Sequence, residues 1–233
     1  VCVYALKIGT QCRNDSSVTR SHCGRQRGLW LTAVFFTVFG ARLYWLMCYS
    51  RPMPFWDEWK AVAIDLIIPY RGGFLDWEAL FIPQSEHRIL ITRLVTLMGS
   101  ILNQEWDPRV GMVFSAFLLA LSCLLVCSMI GAEGFLRRMA VLMLTLCFSL
   151  PFDHENLLWG DQSQMYALNL LALCVLVVAL KKAPTGVTLL AAGSASLLSL
   201  VSMGAGLVAP AVAFCLSVIP CIRRRVTRNR EKK

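Results

Sequence analysis

Seven apolar segments constrain this chain more than anything else in it. They run roughly over residues 29–49, 89–103, 110–131, 138–152, 163–180, 186–203 and 205–222. Inside a bilayer no water reaches a free N–H or C=O, so only structures that pair their own backbone survive there. Apolar runs meet that demand as α-helices, each crossing taking about 20 residues. Composition agrees: 57% of the 233 residues are hydrophobic and only 16% are charged, against about 25% charged in an ordinary soluble domain. The sequence predicts an all-α fold, a polytopic transmembrane helical bundle.

Charge decides which segments cross. The net charge of +9 does not point to nucleic acid, because the basic residues sit in short runs at the ends of apolar segments. Segment 89–103 is short and carries Arg93. If it crosses, Arg137-Arg138 and the acidic stretch at 153–161 fall on conflicting sides. If it does not, Arg13, Arg20, Arg25, Arg27, Arg137-Arg138, Lys181-Lys182 and Arg223-Arg224-Arg225 all lie on one side. That is the pattern of a cytoplasmic face. The expectation is about six spans in a membrane domain over 29–222, with a long external loop over 50–109. A tail over 1–28, native or an over-extended reading frame, and a basic tail over 223–233 then lie inside the cytoplasmic (inner) membrane.

The external loop carries structure of its own. Residues 60–69 are apolar apart from Lys60 and Asp65, and Arg71-Gly72-Gly73 is a turn signal. Phe74, Trp77 and Phe81 share one helical face, and 87–103 makes a third helix. All three read as interfacial helices along the outer leaflet. Further on, Ala192/Ser196 and Ala195/Ser199 give 186–203 a small-residue face for close packing or assembly. Met203-Gly204-Ala205-Gly206 is a tight external hairpin. The ten cysteines include no CxxC and no zinc spacing; those in and beside apolar segments read as buried small hydrophobes.

Four constellations carry candidate chemistry. Asp57-Glu58 lies between Trp56 and Trp59, just beyond the first span. Trp favours the membrane–water interface, and carboxylates there are costly unless solvated, paired or used. Adjacent carboxylates in low dielectric raise one another's pKa, which suits a general base; the competing reading is an interfacial helix cap. Gln84-Ser85-Glu86-His87-Arg88, with Arg93 beyond, offers guanidinium groups to a phosphate and His87 as a further donor. Arg88 and Arg93 are about 140° apart on a helix, so they are no simple clamp; the competing reading caps a helix with Ser85.

The third constellation joins Asp153-His154-Glu155-Asn156 to Trp159-Gly160-Asp161-Gln162 in one external loop. The amides of Asn156, Gln162 and Gln164 suit sugar hydroxyls, against a plain solvated hairpin. Asp153, His154 and Glu155 are consecutive and cannot all face one ion from a regular helix. The fourth is Arg42, toward the outer end of the first span, which either snorkels or serves as counter-ion to an anionic head group. No Gly-rich phosphate loop is present, so an enzyme here needs a donor that arrives through the lipid.

A tail, a first span, an acidic pair in the first external loop, interfacial helices and further spans, in that order, resemble the C-type fold of membrane glycosyltransferases that use polyprenyl-phosphate sugars. Asp57-Glu58 matches the Asp-Glu pair of the protein O-mannosyltransferases. Trp56-Asp57-Glu58-Trp59, Glu86-His87-Arg88, Glu155-Asn156 with Trp159-Gly160-x-Gln162, and Ser202-Met203-Gly204-x-Gly206-Leu207 look like bacterial multi-pass membrane proteins related to that fold. The resemblance covers about 29–222. It implies that Asp57 is the base that activates an acceptor hydroxyl, and that the first-loop helices and basic residues hold the lipid phosphate. Such enzymes usually have more spans, so a part beyond Lys233 or a membrane-protein partner belongs to the expectation.

The expected function is transfer of a sugar from a polyprenyl-phosphate donor on the outer face of the membrane, with inversion. Asp57 is the base and Glu58 positions it. Arg42, Arg88 or Arg93 stabilises the leaving phosphate, while Glu86, His87, His154, Glu155, Asn156, Trp159 and Gln162 line the substrate. No metal site is read, although a divalent cation stays an open alternative. The other readings are a transporter or flippase for a lipid-linked or anionic substrate, and a non-catalytic subunit of a membrane complex.

Overall fold

A computed structural model describes residues 17–85, 87–130, 134–181, 184–216 and 218, with side chains from residue 28. In chain order the α-helices are α1 (Ser17–Tyr49), α2 (Ile68–Arg71), α3 (Leu90–Asn103), α4 (Arg109–Met129), α5 (Gly134–Ser149), α6 (His154–Leu157), α7 (Ser163–Ala179) and α8 (Gly186–Ser202). A further helical stretch reaches Leu216. No strand occurs among the described residues; Gln84 and His87 form one isolated antiparallel bridge.

Three helices are long and apolar enough to cross a membrane: Gly28–Tyr49, Arg109–Met129 and Gly160–Ala179. They mark a helical membrane protein. The other apolar helices are shorter, α5 with 16 residues, α8 with 17 and α3 with 14. Large apolar side chains stand exposed along the helices, among them Phe36 and Met47 on α1, Phe135 and Met143 on α5, and Leu190 and Leu197 on α8. In water such a surface would drive association; against hydrocarbon it is the stable arrangement. Cys123 and Cys127 are buried as expected, but Cys48, Cys147 and Cys215 belong to this exposed surface.

The chain folds as two compact units. The first holds the described residues up to Ser50 together with Ala116–Leu158. There α1 packs on α5 around Val34, Val38, Ala120, Cys123 and Cys127. The Phe117 ring meets the edges of Phe35 and Phe39 at 5.8 and 6.1 Å. Arg42 is buried in this unit. It forms an ion pair with Asp153 and donates from Nε to the Phe148 carbonyl at 2.7 Å. The expectation that Arg42 snorkels or awaits a head group is corrected: a buried charge needs a partner, and Asp153 supplies it.

The second unit holds Arg51–Ser115 and the described residues from Trp159 onward. After α1 the chain turns and enters a wide π-helical run, Trp59–Ile67, which passes directly into α2. Its Ala61, Val62, Leu66 and Ile67 are buried with Leu80 and Ile89 in a small core. This stretch therefore turns its apolar face into the protein. The helix expected over 74–82 is also corrected. Only a short 3₁₀ turn forms, Trp77–Leu80, and Phe74, Trp77 and Phe81 are all exposed. The backbone is extended at Asp76, with φ −88° and ψ 145°, which separates Phe74 from the turn that follows.

α3 packs against α7 and against the π-helical run, and α7 packs along α8. The small-residue face of α8 is not a free assembly surface. Ala195, Ser199 and Ser202 are buried, and Ser199 Oγ donates to the Gly206 carbonyl at 2.9 Å. The 3₁₀ turn Gly204–Leu207 covers that face, and Gly206 approaches the Ser199 backbone so closely that no side chain fits.

Candidate functional site

The Trp56-Asp57-Glu58-Trp59 turn separates its two acids. Trp56 has φ 47°, a left-handed conformation that costs a bulky residue of order 1–3 kcal/mol. The Glu58 N–H reaches the Phe55 carbonyl at 3.1 Å, and the Asp57 carbonyl accepts from Lys60 and Ala61 at 3.0 and 2.8 Å. This geometry sends Glu58 inward, only 2% exposed, and leaves Trp56, Asp57 and Trp59 outside.

Glu58 ties two distant pieces of chain together. Its Oε2 accepts the Phe55 N–H at 2.7 Å and its Oε1 accepts the Asp161 N–H at 2.8 Å. Burial pushes its carboxyl up to about 7; the backbone N–H groups of Phe55, Asp161 and Gly160 pull the other way, and the neighbouring Asp161 carboxylate adds a further push upward. The expected rise in an acid of this pair is present, but it falls on Glu58 and comes from burial. Gly160 is required for the approach. A Cβ there would lie 2.6 Å from the Pro108 carbonyl oxygen and 2.8 Å from Glu58 Oε1.

A buried polar layer continues from this strap. Asp161 is 3% exposed and takes a side-chain hydrogen bond from Gln84. Gln84 is set by its reciprocal backbone pair with His87, at 2.8 and 2.9 Å, across a turn in which Ser85 has φ 53°. Ser85 thus closes a turn, and α3 starts later, at Leu90. Thr92 Oγ1 lies 2.7 Å from Ser163 Oγ and 3.3 Å from the Asp161 carbonyl. Seven buried polar atoms around this layer have no hydrogen-bond partner: Gln84 Oε1, His87 Nδ1, Arg93 Nε and Nη2, Trp159 Nε1, Asp161 Oδ1 and Gln164 Oε1. Orphaned buried groups are rare and call for a reason, such as a ligand.

Aromatic rings stand over the strap. Phe55 stacks on Trp56 with centroids 5.6 Å apart, and Trp159 meets both edge-on at 5.8 and 6.0 Å. Phe55 and Trp56 are exposed and Trp159 is partly so.

The second unit thus gathers Asp57, Glu58, His87, Trp159 and Gln162. Arg88 is exposed at the turn before α3. Glu86 lies outside the described residues. Arg93 is fully buried; its Nη1 donates to the Ala79 carbonyl at 2.6 Å and to the Ile82 carbonyl at 2.5 Å, and Nη2 stands 4.0 Å from Asp65. Asp65 and Asp161 lie near enough to offset its charge, and two backbone carbonyls hold Nη1, while Nε and Nη2 keep no hydrogen-bond partner. His154, Glu155 and Asn156 are exposed in the first unit. There His154 lines an apolar hollow of about 260 Å³ with Trp45, Tyr49, Pro151, Leu157 and Leu158.

Sequence reasoning missed Thr92 and Ser163. Thr92, Thr96 and Ser100 recur every fourth residue in an otherwise apolar segment, and that polar stripe was the signal. Among the described residues, no three His, Cys, Asp or Glu converge on a metal position. No family model matches the chain, and no curated protein or solved structure matches it either.

Proposed function

We propose that this chain is a membrane glycosyltransferase that moves a sugar from a polyprenyl-phosphate donor to an acceptor hydroxyl on the outer face of the cytoplasmic membrane. The observation that carries this reading is the strap. Glu58 pins the Asp57 turn to the Trp159–Asp161 turn, beneath aromatic rings and beside the unpartnered amide oxygens of Gln84 and Gln164. Aromatic faces and side-chain amides are what a sugar requires. A wide π-helical turn directly after the pair fits the tendency of such turns to mark functional sites.

In this reading the six apolar segments outside α3 cross the membrane, both termini lie inside, and 50–109 lies at the outer interface. The Asp57 carboxylate takes the acceptor hydroxyl proton. The acceptor oxygen bonds to the anomeric carbon as the bond from that carbon to the phosphate oxygen breaks, and the polyprenyl phosphate leaves with the electron pair. Configuration inverts because there is one displacement. Glu58 acts as a positioning residue, and exposed Arg88 meets the phosphate charge. Trp56, Trp159, Gln84 and Gln164 hold the sugar. Transfer of labelled sugar from polyprenyl-phosphate donors, with release of the lipid phosphate and inversion followed together, tests the reading.

A flippase is the second reading. Arg93 on α3 and Asp161 just before α7 are ionisable groups at most 3% exposed. Buried ionisable groups at membrane depth mark transport paths as well as catalytic sites. Movement of donor between leaflets without sugar transfer would favour it.

A further inference from the structure

We propose that the outward face of α3 rests against the acyl chains of the bilayer, which makes this helix a wall one helix thick between lipid and the polar site. The polarity of α3 is reversed relative to a helix on a water-soluble protein. Thr92, Arg93, Thr96, Gly99 and Ser100 face inward and are buried. Leu94, Met98, Ile101 and Leu102 face outward, with Leu102 78% exposed. An amphipathic helix buries its apolar stripe and shows its polar one when the medium outside is water. The opposite arrangement is stable only when the medium outside is apolar.

The packing of α3 says which apolar medium that is. Its inner face lies on α7, and Thr92 bonds Ser163 at the first residue of that helix. Gly160–Ala179 is itself long and apolar enough to span the bilayer, and α3 packs on it, so hydrocarbon is the apolar medium within reach of the outer face of α3. α3 cannot span alone. Its 14 residues make about 21 Å, against a hydrocarbon core of about 30 Å. Both ends are held in polar surroundings. Arg88 precedes it, and Asn103, Gln104 and Glu105 are exposed at its end. There Gln104 turns left-handed at φ 61°, its amide caps the Ile101 carbonyl at 2.9 Å, and Arg71 donates to the Gln104 carbonyl at 3.2 Å. α3 is therefore a shallow insertion. It goes further than the interfacial helices of the proposed function and rests on that site reading in one respect: Thr92 and Arg93 face the site from its inner side. A lipid-borne substrate then reaches the site past α3, from the membrane side.

The test uses the full chain in nanodiscs of phosphatidylethanolamine and phosphatidylglycerol, with a fluorescent amino acid placed at Met98, at Leu102 or, as a control, at Glu105. Bromine-labelled acyl chains are expected to quench the probes at 98 and 102 at least threefold more than at 105, and aqueous iodide is expected to show the reverse order. Iodide reaching 98 and 102 as readily as 105 would overturn the proposal. So would quenching by neither reagent, which would mean that a second copy or another protein covers the face. No sugar donor is involved, so this result stands apart from success or failure of the transfer assay.

Discussion

Glu58 accepts the backbone N–H of Asp161 at 2.8 Å, across 103 residues of sequence. One carboxylate thereby fixes the distance between the turn that carries Asp57 and the turn that begins α7, which carries Trp159. The chemistry proposed for this protein depends on that spacing.

Replacing Glu58 with Ala leaves the N–H groups of Phe55 and Asp161 without their acceptor. The buried Asp161 donor left unsatisfied costs about 1–3 kcal/mol, and the part-buried Phe55 donor less. We expect a clear fall in thermal midpoint in detergent and a loss of transfer. An unchanged midpoint would show that the strap holds nothing.

The strap also sets a pH dependence with a definite sign. Glu58 sits at about 7 in the folded chain against 4.5 as its ordinary value. Between those values the folded chain keeps a proton that the unfolded chain has lost. The stabilisation is full below the lower value and is lost as pH rises through the upper one. Thermal midpoints should fall between pH 5 and pH 8 in the native chain, and the slope should flatten in Glu58→Gln. A parallel slope in the variant would assign the effect to another group.

Gly160→Ala should be among the most damaging single-methyl changes in the chain. The added carbon would meet a backbone oxygen at 2.6 Å and the Glu58 carboxylate at 2.8 Å, and overpacking of this kind costs about 1–3 kcal/mol or more. Folded yield and transfer should fall together. Gly193→Ala, whose Cβ meets nothing within 4 Å, should leave both intact.

Trp56→Gly separates strain from function. Glycine adopts φ 47° without penalty, so the thermal midpoint should hold or rise by a few degrees. Loss of the ring should lower transfer about tenfold or more, since an aromatic face contributes on the order of 1 kcal/mol or more to stacking. A rise in stability with full activity would remove Trp56 from the site.

Much of the helical framework was legible in the sequence. The segments 89–103, 163–180 and 186–203 become α3, α7 and α8 within a residue at each end, because apolar length and flanking polarity are local signals. The buried side of the acidic pair was not legible. It depends on a left-handed Trp56 and on a partner 103 residues away, and neither leaves a local trace. Arg93 misled for a related reason. An arginine in an apolar segment reads as a ligand for something external; the carbonyls of Ala79 and Ile82 hold its Nη1, and backbone acceptors have no sequence signature. Phe74, Trp77 and Phe81 share a helical period, but the extended backbone at Asp76 interrupts it.

The most direct measurement is transfer of radiolabelled sugar from polyprenyl-phosphate donors by membranes carrying the native chain or Asp57→Asn, with release of the lipid phosphate followed alongside. Asp57 is exposed and carries no side-chain strap, so the variant should fold with an unchanged thermal midpoint. Transfer is expected from the native chain, and its loss, by at least a hundredfold, in the variant. Undiminished transfer in Asp57→Asn would contradict the assignment of the base, and no transfer by a folded native chain from any donor would contradict the enzyme itself.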